Sequence, residues 1–228
     1  MTHIECKIES NIARILLNRP DKANAYTPSM LQDLMHVWHR VERDARIAVI
    51  ESSGDGAFCG GADLHEMSKA TAEDALDLLS QRLFDQIARS TVVSIVAVQG
   101  PAVAGGFELT LAGDLRVATP TAWFALPEVS KGLIPAAGGC TRLTHLLGTS
   151  VAKGVILGGE QISAEQAHSW GLVHRLSDKP REAAMEWARS LLSKDALALK
   201  LAKQVLTAPS LKAERLAEAI LYERKSTS

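Results

Sequence analysis

The chain has 228 residues, 46% of them hydrophobic, which suits one globular domain with a full core and a small appendage. Its net charge of −1 offers no basic field for nucleic acid or an anionic membrane, and 4% aromatic residues are too few for base-stacking platforms. Three cysteines (Cys6, Cys59 and Cys140) without CxxC spacing point to reduced thiols in a cytoplasmic protein, not to a disulfide frame or a zinc site.

The first residues lack a basic segment followed by an apolar run, so no secretory signal is expected there. No run is long enough for a membrane helix; Val92 to Val98 is apolar but short and reads as a buried strand.

Ile4 to Glu9 and Ile12 to Asn18 read as two strands around a Ser10-Asn11 turn. Arg19 to Ala25 is a loop. Thr27-Pro28 then starts a helix, with Thr27 as N-cap and Pro28 in the first turn. Leu31, Leu34, Met35, Val37, Trp38 and Val41 carry it at helical spacing to about Arg43. Ile47 to Ile50 is a buried strand, Ser52 to Gly61 a glycine-rich loop, and a helical region begins near Asp63. One amphipathic helix is expected over roughly Ala72 to Ala88.

The order then repeats. Val92 to Val98 is a strand, Gly100 to Gly106 a loop, Phe107 to Ala112 a short apolar helix and Leu115 to Ala118 another strand. Helices are expected near 140–147 and 150–157, then a capping box at Ser163-Ala-Glu-Gln166. From Lys179 onward the pattern is helical. Recurrent strand, loop and helix units make the fold class α/β, with a core over residues 1–178 and a C-terminal helical region over 179–228.

Two glycine loops, Gly60-Gly61-Ala62-Asp63-Leu64 and Ala104-Gly105-Gly106-Phe107, each follow a strand and precede a helix. Free N–H groups and the positive dipole end at such a helix start face whatever binds there. Two of them from separate loops would hold one oxygen as it gains negative charge. Either loop taken alone reads more readily as an ordinary strand-to-helix turn. Neither carries GxGxxG or a following GK[ST], which excludes Rossmann and P-loop readings.

Glu108 is a charge within a segment that otherwise reads as buried helix, and Glu128 lies in the second glycine-marked segment, Phe124 to Gly139. Carboxylates are rarely buried without a partner or a task. Two flanking one cleft would suit general acid/base chemistry, because burial raises a carboxyl pKa towards working pH.

Other residues read as structural. His3, His36, His39, His65, His145, His168 and His174 show no metal-ligand spacing, so no metal is expected. Ser94 and Ser130 lack a Gly-x-Ser-x-Gly context. Cys59 is read as a small buried hydrophobe rather than a reactive thiol. Asp63 is read as an N-cap, and Asp114 and Arg116 as an ion pair or cap.

With these segments in view, the chain resembles the enoyl-CoA hydratase/isomerase family, the crotonase superfamily. The resemblance rests on Asn18 to Ala25, Ala57 to Leu64, Val96 to Asp114, Phe124 to Leu143 and Ile162 to Val173, in that order. It implies a spiral of ββα units with a C-terminal helical trimerisation region, assembling as trimers or dimers of trimers. It places the oxyanion-hole amides at Ala62 and Gly105, and the two hydratase glutamates at Glu108 and Glu128. The implied reaction is syn addition of water to a trans-2-enoyl-CoA. Coenzyme A enters as part of that substrate, without a separate cofactor. It would lie along Lys22-Ala23 and Ala62, Asp63, Leu64 and His65, where Lys22 meets a phosphate or is merely a solvated loop lysine. Met67, Trp123 and Leu133 are candidates for the acyl pocket, with core packing the favoured reading for each.

The sequence departs from the family pattern in places. Ala104 and Ala136 stand where glycine is frequent; Ala104 is expected to fit with helical or β dihedrals. The C-terminal helical region is shorter than usual. Two other functions stay open: Δ3-Δ2 enoyl isomerisation or another acyl-CoA reaction, and a non-catalytic binding subunit.

Overall fold

The computed structural model describes residues 3–67 and 71–226. It opens with a hairpin of β1 (Ile4–Glu9) and β2 (Ile12–Leu17). Ser10 (φ 48°) and Asn11 (φ 63°) turn it in the left-handed region that a two-residue hairpin needs. Helix α1 (Pro28–Asp44) starts as expected: the Thr27 hydroxyl accepts the Met30 N–H at 3.2 Å, and Pro28 supplies the first turn. Its buried stripe of Leu31, Leu34, Trp38 and Val41 follows the helical period.

Next come β3 (Ile47–Ser52), α2 (Leu64–Met67), α3 (Ala72–Leu76) and α4 (Leu79–Arg89). The single helix expected over 72–88 is therefore two. Thr71 and Asp74 form a capping box that starts α3, and Asp77 and Leu78 leave the helical region. The residues of α3 are all exposed, whereas α4 alone buries Leu83, Phe84 and Ile87. Burial therefore selects only the second half of the apolar period.

The central part alternates between two sheets. β4 (Val93–Val98) leads to β5 (Ala102–Val103) and α5 (Gly105–Ala112). β6 (Leu115–Ala118) leads to β7 (Trp123–Ala125) and, after a 3-10 turn over Glu128–Lys131, to α6 (Gly139–Leu157). β8 (Ile162–Ser163), α7 (Ala164–Ser169) and β9 (Arg175–Leu176) close the series. The larger sheet runs β1-β2-β3-β4-β6-β9 and the smaller β5-β7-β8, so successive ββα turns visit both. This is the α/β spiral that the resemblance implies. Gly148 (φ 79°, ψ 161°) breaks α6 into the two helices read from sequence, and Ser163 with Gln166 makes the expected capping box.

Side-chain alternation along the strands makes two cores. Ala13, Ile15, Leu17, Ala48, Ile50, Val96 and Val98 face one cluster; Ile12, Ile47, Val49, Val93, Ile95 and Ala97 face another. The second is roofed by α8 (Pro180–Leu192), whose Ala184 and Ala188 are one turn apart and small enough for close approach. Helices α9 (Ala196–Thr207) and α10 (Leu211–Ser226) complete the described chain.

Lys203 of α9 reaches into the core, only 6% exposed. Its Nζ donates to Val92 O at 2.6 Å and pairs with Asp114 at 2.7 Å. Asp114 also accepts the Ser94 N–H at 2.7 Å and the Ser94 hydroxyl at 2.9 Å. Asp114 is thus structural, with Lys203 as its ion-pair partner. Arg116 instead donates to the carbonyls of Leu172, Thr110 and Gly113 at 2.6, 2.9 and 2.6 Å. Among the described residues no helix is long and apolar enough to cross a membrane.

Candidate functional site

Two isolated strand bridges bring the glycine loops side by side. Cys59 pairs with Ala102, and Tyr26 with Ala62. Val103 N–H donates to Cys59 O at 3.0 Å, which sets the first loop against the start of α5. The approach is so close that a Cβ on Gly106 would overlap Cys59 O, and one on Gly61 (φ 90°) would stand 3.0 Å from Gly105 N. Glycine is required at both positions by contact.

The amides of this junction are only partly used. Tyr26 N–H donates to Gly61 O at 2.8 Å and Asp63 N–H to Tyr26 O at 2.9 Å, so the bridge uses the groups on either side of Ala62 and leaves the Ala62 N–H out. Gly105 opens α5, where the first N–H groups lack a helical acceptor. Ala104 corrects the sequence expectation. It takes φ 52° and ψ −128°, neither helical nor β, because its N–H must reach Ala125 O (2.9 Å) while its carbonyl receives Glu108 N–H (3.0 Å). That region favours glycine, and alanine is strained there.

The pairing of β5 with β7 brings the two glutamates together. Val103 lies opposite Ala125, so Gly105 and Glu108 leave one strand where Pro127 and Glu128 leave the other. Glu108, 4% exposed, accepts the Gly139 N–H on Oε1 at 2.8 Å. A carboxylate at a helix N-terminus is favoured by the dipole, and Gly139 begins α6. The glycine is again enforced: a Cβ there would stand 2.6 Å from Pro135 Cβ and 3.0 Å from Glu108 Oε1. Arg142 and Gln81 brace this turn. Arg142 donates to Ala137 O at 2.9 Å and reaches Asp85 at 3.4 Å, while Gln81 donates to Ala136 O at 2.6 Å.

Burial pushes the Glu108 carboxyl up to about 7; the Gly139 amide opposes the rise and the nearby Glu128 charge adds to it. Burial also raises Glu128, whose Oε2 is enclosed without a hydrogen-bond partner. Two adjoining carboxyls, one buried and one half-buried, whose charged forms are both disfavoured can hold and pass protons.

The remaining predicted residues lie on neighbouring loops. Asn24, 1% exposed, ties them: its side chain accepts the Arg19 N–H at 2.9 Å and donates to Ser53 O and Ala57 O at 3.1 and 2.9 Å. Exposed Lys22 and left-handed Ala23 (φ 52°) form its outer turn, and Ala23 O accepts the Gly60 N–H at 2.9 Å. Asp63 caps α2 by accepting the His65 N–H at 2.9 Å and also pairs with Arg19 at 2.7 Å. Leu64 and His65 are exposed.

Met67 and Leu133 are not core residues, as favoured from sequence, but 36% and 45% exposed; Trp123 is half-buried. Met67 ends the short helix α2, none of whose residues is buried, and Leu133 follows the turn at Gly132. Cys59 is buried, its thiol donating to Asn24 O at 3.2 Å, and burial pushes it up to about 12, so it is an inert packing residue. Gly139, Arg142, Asn24 and Tyr26 carried no functional signal in the sequence. Only the second glycine of Gly138-Gly139 hinted at a close backbone approach.

The enoyl-CoA hydratase/isomerase family model matches residues 7–226. The chain is 39% identical over 189 residues to the bovine mitochondrial enoyl-CoA hydratase domain-containing protein 2, covering 79% of this chain and 63% of that protein. It is 34% identical over 209 residues to the 2,3-dehydroadipyl-CoA hydratase of Escherichia coli, covering 90% of this chain and 82% of the relative. A Thermobifida fusca structure solved in complex with CoA superposes with a TM-score of 0.90 at 29% identity, covering 100% of this chain and 95% of that one. Against four of the curated relatives, the chain spans 68, 66, 63 and 65% of their length. A match across nearly the whole sequence and an alike fold lead to one conclusion: the chain belongs to the enoyl-CoA hydratase/isomerase family.

Proposed function

We propose that the chain is an enoyl-CoA hydratase that adds water reversibly and syn to trans-2-enoyl-CoA. The observation that carries this reading is the pair Glu108 and Glu128 on adjoining segments, the first buried and the second half-buried with an enclosed Oε2, both carboxyls raised by desolvation. The hydratase names of relatives and the CoA held by one structural neighbour agree with it.

In this reading the thioester oxygen accepts the N–H groups of Ala62 and Gly105. The β-carbon then becomes electrophilic. Glu108 acts as the carboxylate in this reading; its Oε1 accepts the Gly139 N–H, which offsets part of the rise caused by burial. Glu108 takes a proton from water as the oxygen bonds to the β-carbon. Negative charge moves onto the thioester oxygen between the two amides. Glu128, the protonated partner, delivers its proton to the α-carbon. The sum is one water added, and the proton now on Glu108 returns to the pair before the next turnover.

Coenzyme A is bound as part of the substrate, along Lys22, Ala23 and Ala62 to His65. Assembly as a trimer or dimer of trimers belongs to the same reading and is measured by light scattering. The function is tested by following the loss of conjugated thioester absorbance of crotonyl-CoA. Glu108→Gln and Glu128→Gln are each expected to lower kcat by about 10²–10⁴-fold. Wild-type rates in both variants would sink the assignment.

A further inference from the structure

Tyr26 reaches both proposed amide donors at once. Its backbone brackets Ala62 through the bonds to Gly61 O (2.8 Å) and from Asp63 N–H (2.9 Å). Its side chain runs beneath Gly105, where an added Cβ would overlap the phenol oxygen and stand 2.7 Å from Cζ. One residue thus joins two loops about 40 positions apart in sequence, separated mainly by the α2–α4 stretch and β4.

The phenol is held in place from below. Its ring meets Phe84 of α4 edge-on, at 6.1 Å between centroids and 87° between planes. Its hydroxyl lies beside Ser80 of α4, itself 4% exposed. Ser80, Leu83, Phe84 and Ile87 are the buried residues of α4, so this pair is polar in an otherwise apolar wall. A phenylalanine–alanine pair would pack here without bringing two hydroxyls into that wall. The phenol oxygen under Gly105 and the edge contact with Phe84 set the depth of the ring against the Gly105 turn.

We propose that Tyr26 is a positioning residue that sets the separation of the Ala62 and Gly105 amides, with its phenol oxygen seated beneath the Gly105 turn. The inference rests on reading those amides as the oxyanion donors. Amides so positioned act on charge that develops during the reaction, so loosening them lowers kcat more than it changes KM.

The test uses the whole chain and a dimethylaminocinnamoyl-CoA, whose absorbance moves to longer wavelength as its thioester carbonyl is polarised. Wild type is expected to shift this band on binding. Tyr26→Phe should give a smaller shift and about tenfold lower kcat on crotonyl-CoA, with KM within about twofold; this is milder than loss of a donor, which costs about 10²–10³-fold. Ser80→Ala removes the polar neighbour of the phenol while keeping Tyr26 itself, and should move both readouts in the same direction by a smaller amount. A full wild-type shift and unchanged kcat in both variants would overturn the positioning role while leaving the amide reading intact. Saturable binding without a shift in wild type would instead remove the amide reading, and the positioning role with it.

Discussion

Gly139 gives its backbone N–H to Oε1 of Glu108 at 2.8 Å, across 31 residues of sequence. This bond joins the start of α6 to the middle of α5 and is the direct support of the proposed general base. Gly139→Ala would press a methyl group between Pro135 Cβ and the carboxyl. Overpacking of this kind costs about 1–3 kcal/mol. Hydration should fall by at least about tenfold, since base geometry is lost together with packing. Equal kcat and an equal unfolding midpoint in Gly139→Ala would show that the turn is not under this constraint.

Glu108 makes a prediction with a definite sign. Its carboxyl rises from 4.5 to about 7 on folding. The folded state therefore binds more protons than the unfolded state between these values, and stability falls as pH rises through about 7. Below about pH 4.5 the group is neutral in both states and costs nothing. Glu108→Gln should melt higher than wild type at pH 8, by an amount equivalent to about 3 kcal/mol, with the gap closing near pH 4. Calorimetry across this range checks it; a gap that widens on acidification contradicts the burial argument. In wild type, kcat/KM should rise through the same pH near 7, because the base must be ionised.

Ala104 sits at φ 52° and ψ −128°. Ala104→Gly should release strain worth about 1 kcal/mol, partly offset by the greater freedom of glycine in the unfolded chain. Activity is expected to be kept, since the Ala104 backbone bonds remain. A lower unfolding midpoint would show that the methyl contact is worth more than the strain.

Asp114 holds the buried ammonium of Lys203 at 2.7 Å. Asp114→Ala leaves that charge enclosed and should cost about 3–5 kcal/mol in chemical denaturation. Lys203→Met with Asp114→Asn removes both charges and should cost much less. Equal losses in the single and double variants would mean that the pair contributes through shape and not charge.

Much of the architecture is local and therefore legible. The hairpin at Ser10-Asn11, the Thr27 cap, the capping box at Ser163 and strand β6 follow from turn chemistry and side-chain period within a few residues. The helix over 72–88 misled because α3 keeps a helical period without a surface to bury it on. Met67 and Leu133 misled for the same reason: apolar character does not say whether a short helix or a turn has a surface to bury the side chain on.

The sequence by itself determined the family and the order of strand, loop and helix units, and it singled out Glu108, Glu128 and the two glycine loops as candidates. Those features depend on residue type and on neighbours close along the chain. Only the tertiary structure decided that β5 beside β7 brings Glu108 and Glu128 to adjoining segments, that Gly139 holds the first, and that Tyr26 spans both glycine loops. A carboxyl's proton affinity and an amide's direction depend on desolvation and contacts supplied by segments tens of residues away. No local pattern encodes those contacts, so they exist only once the chain is packed.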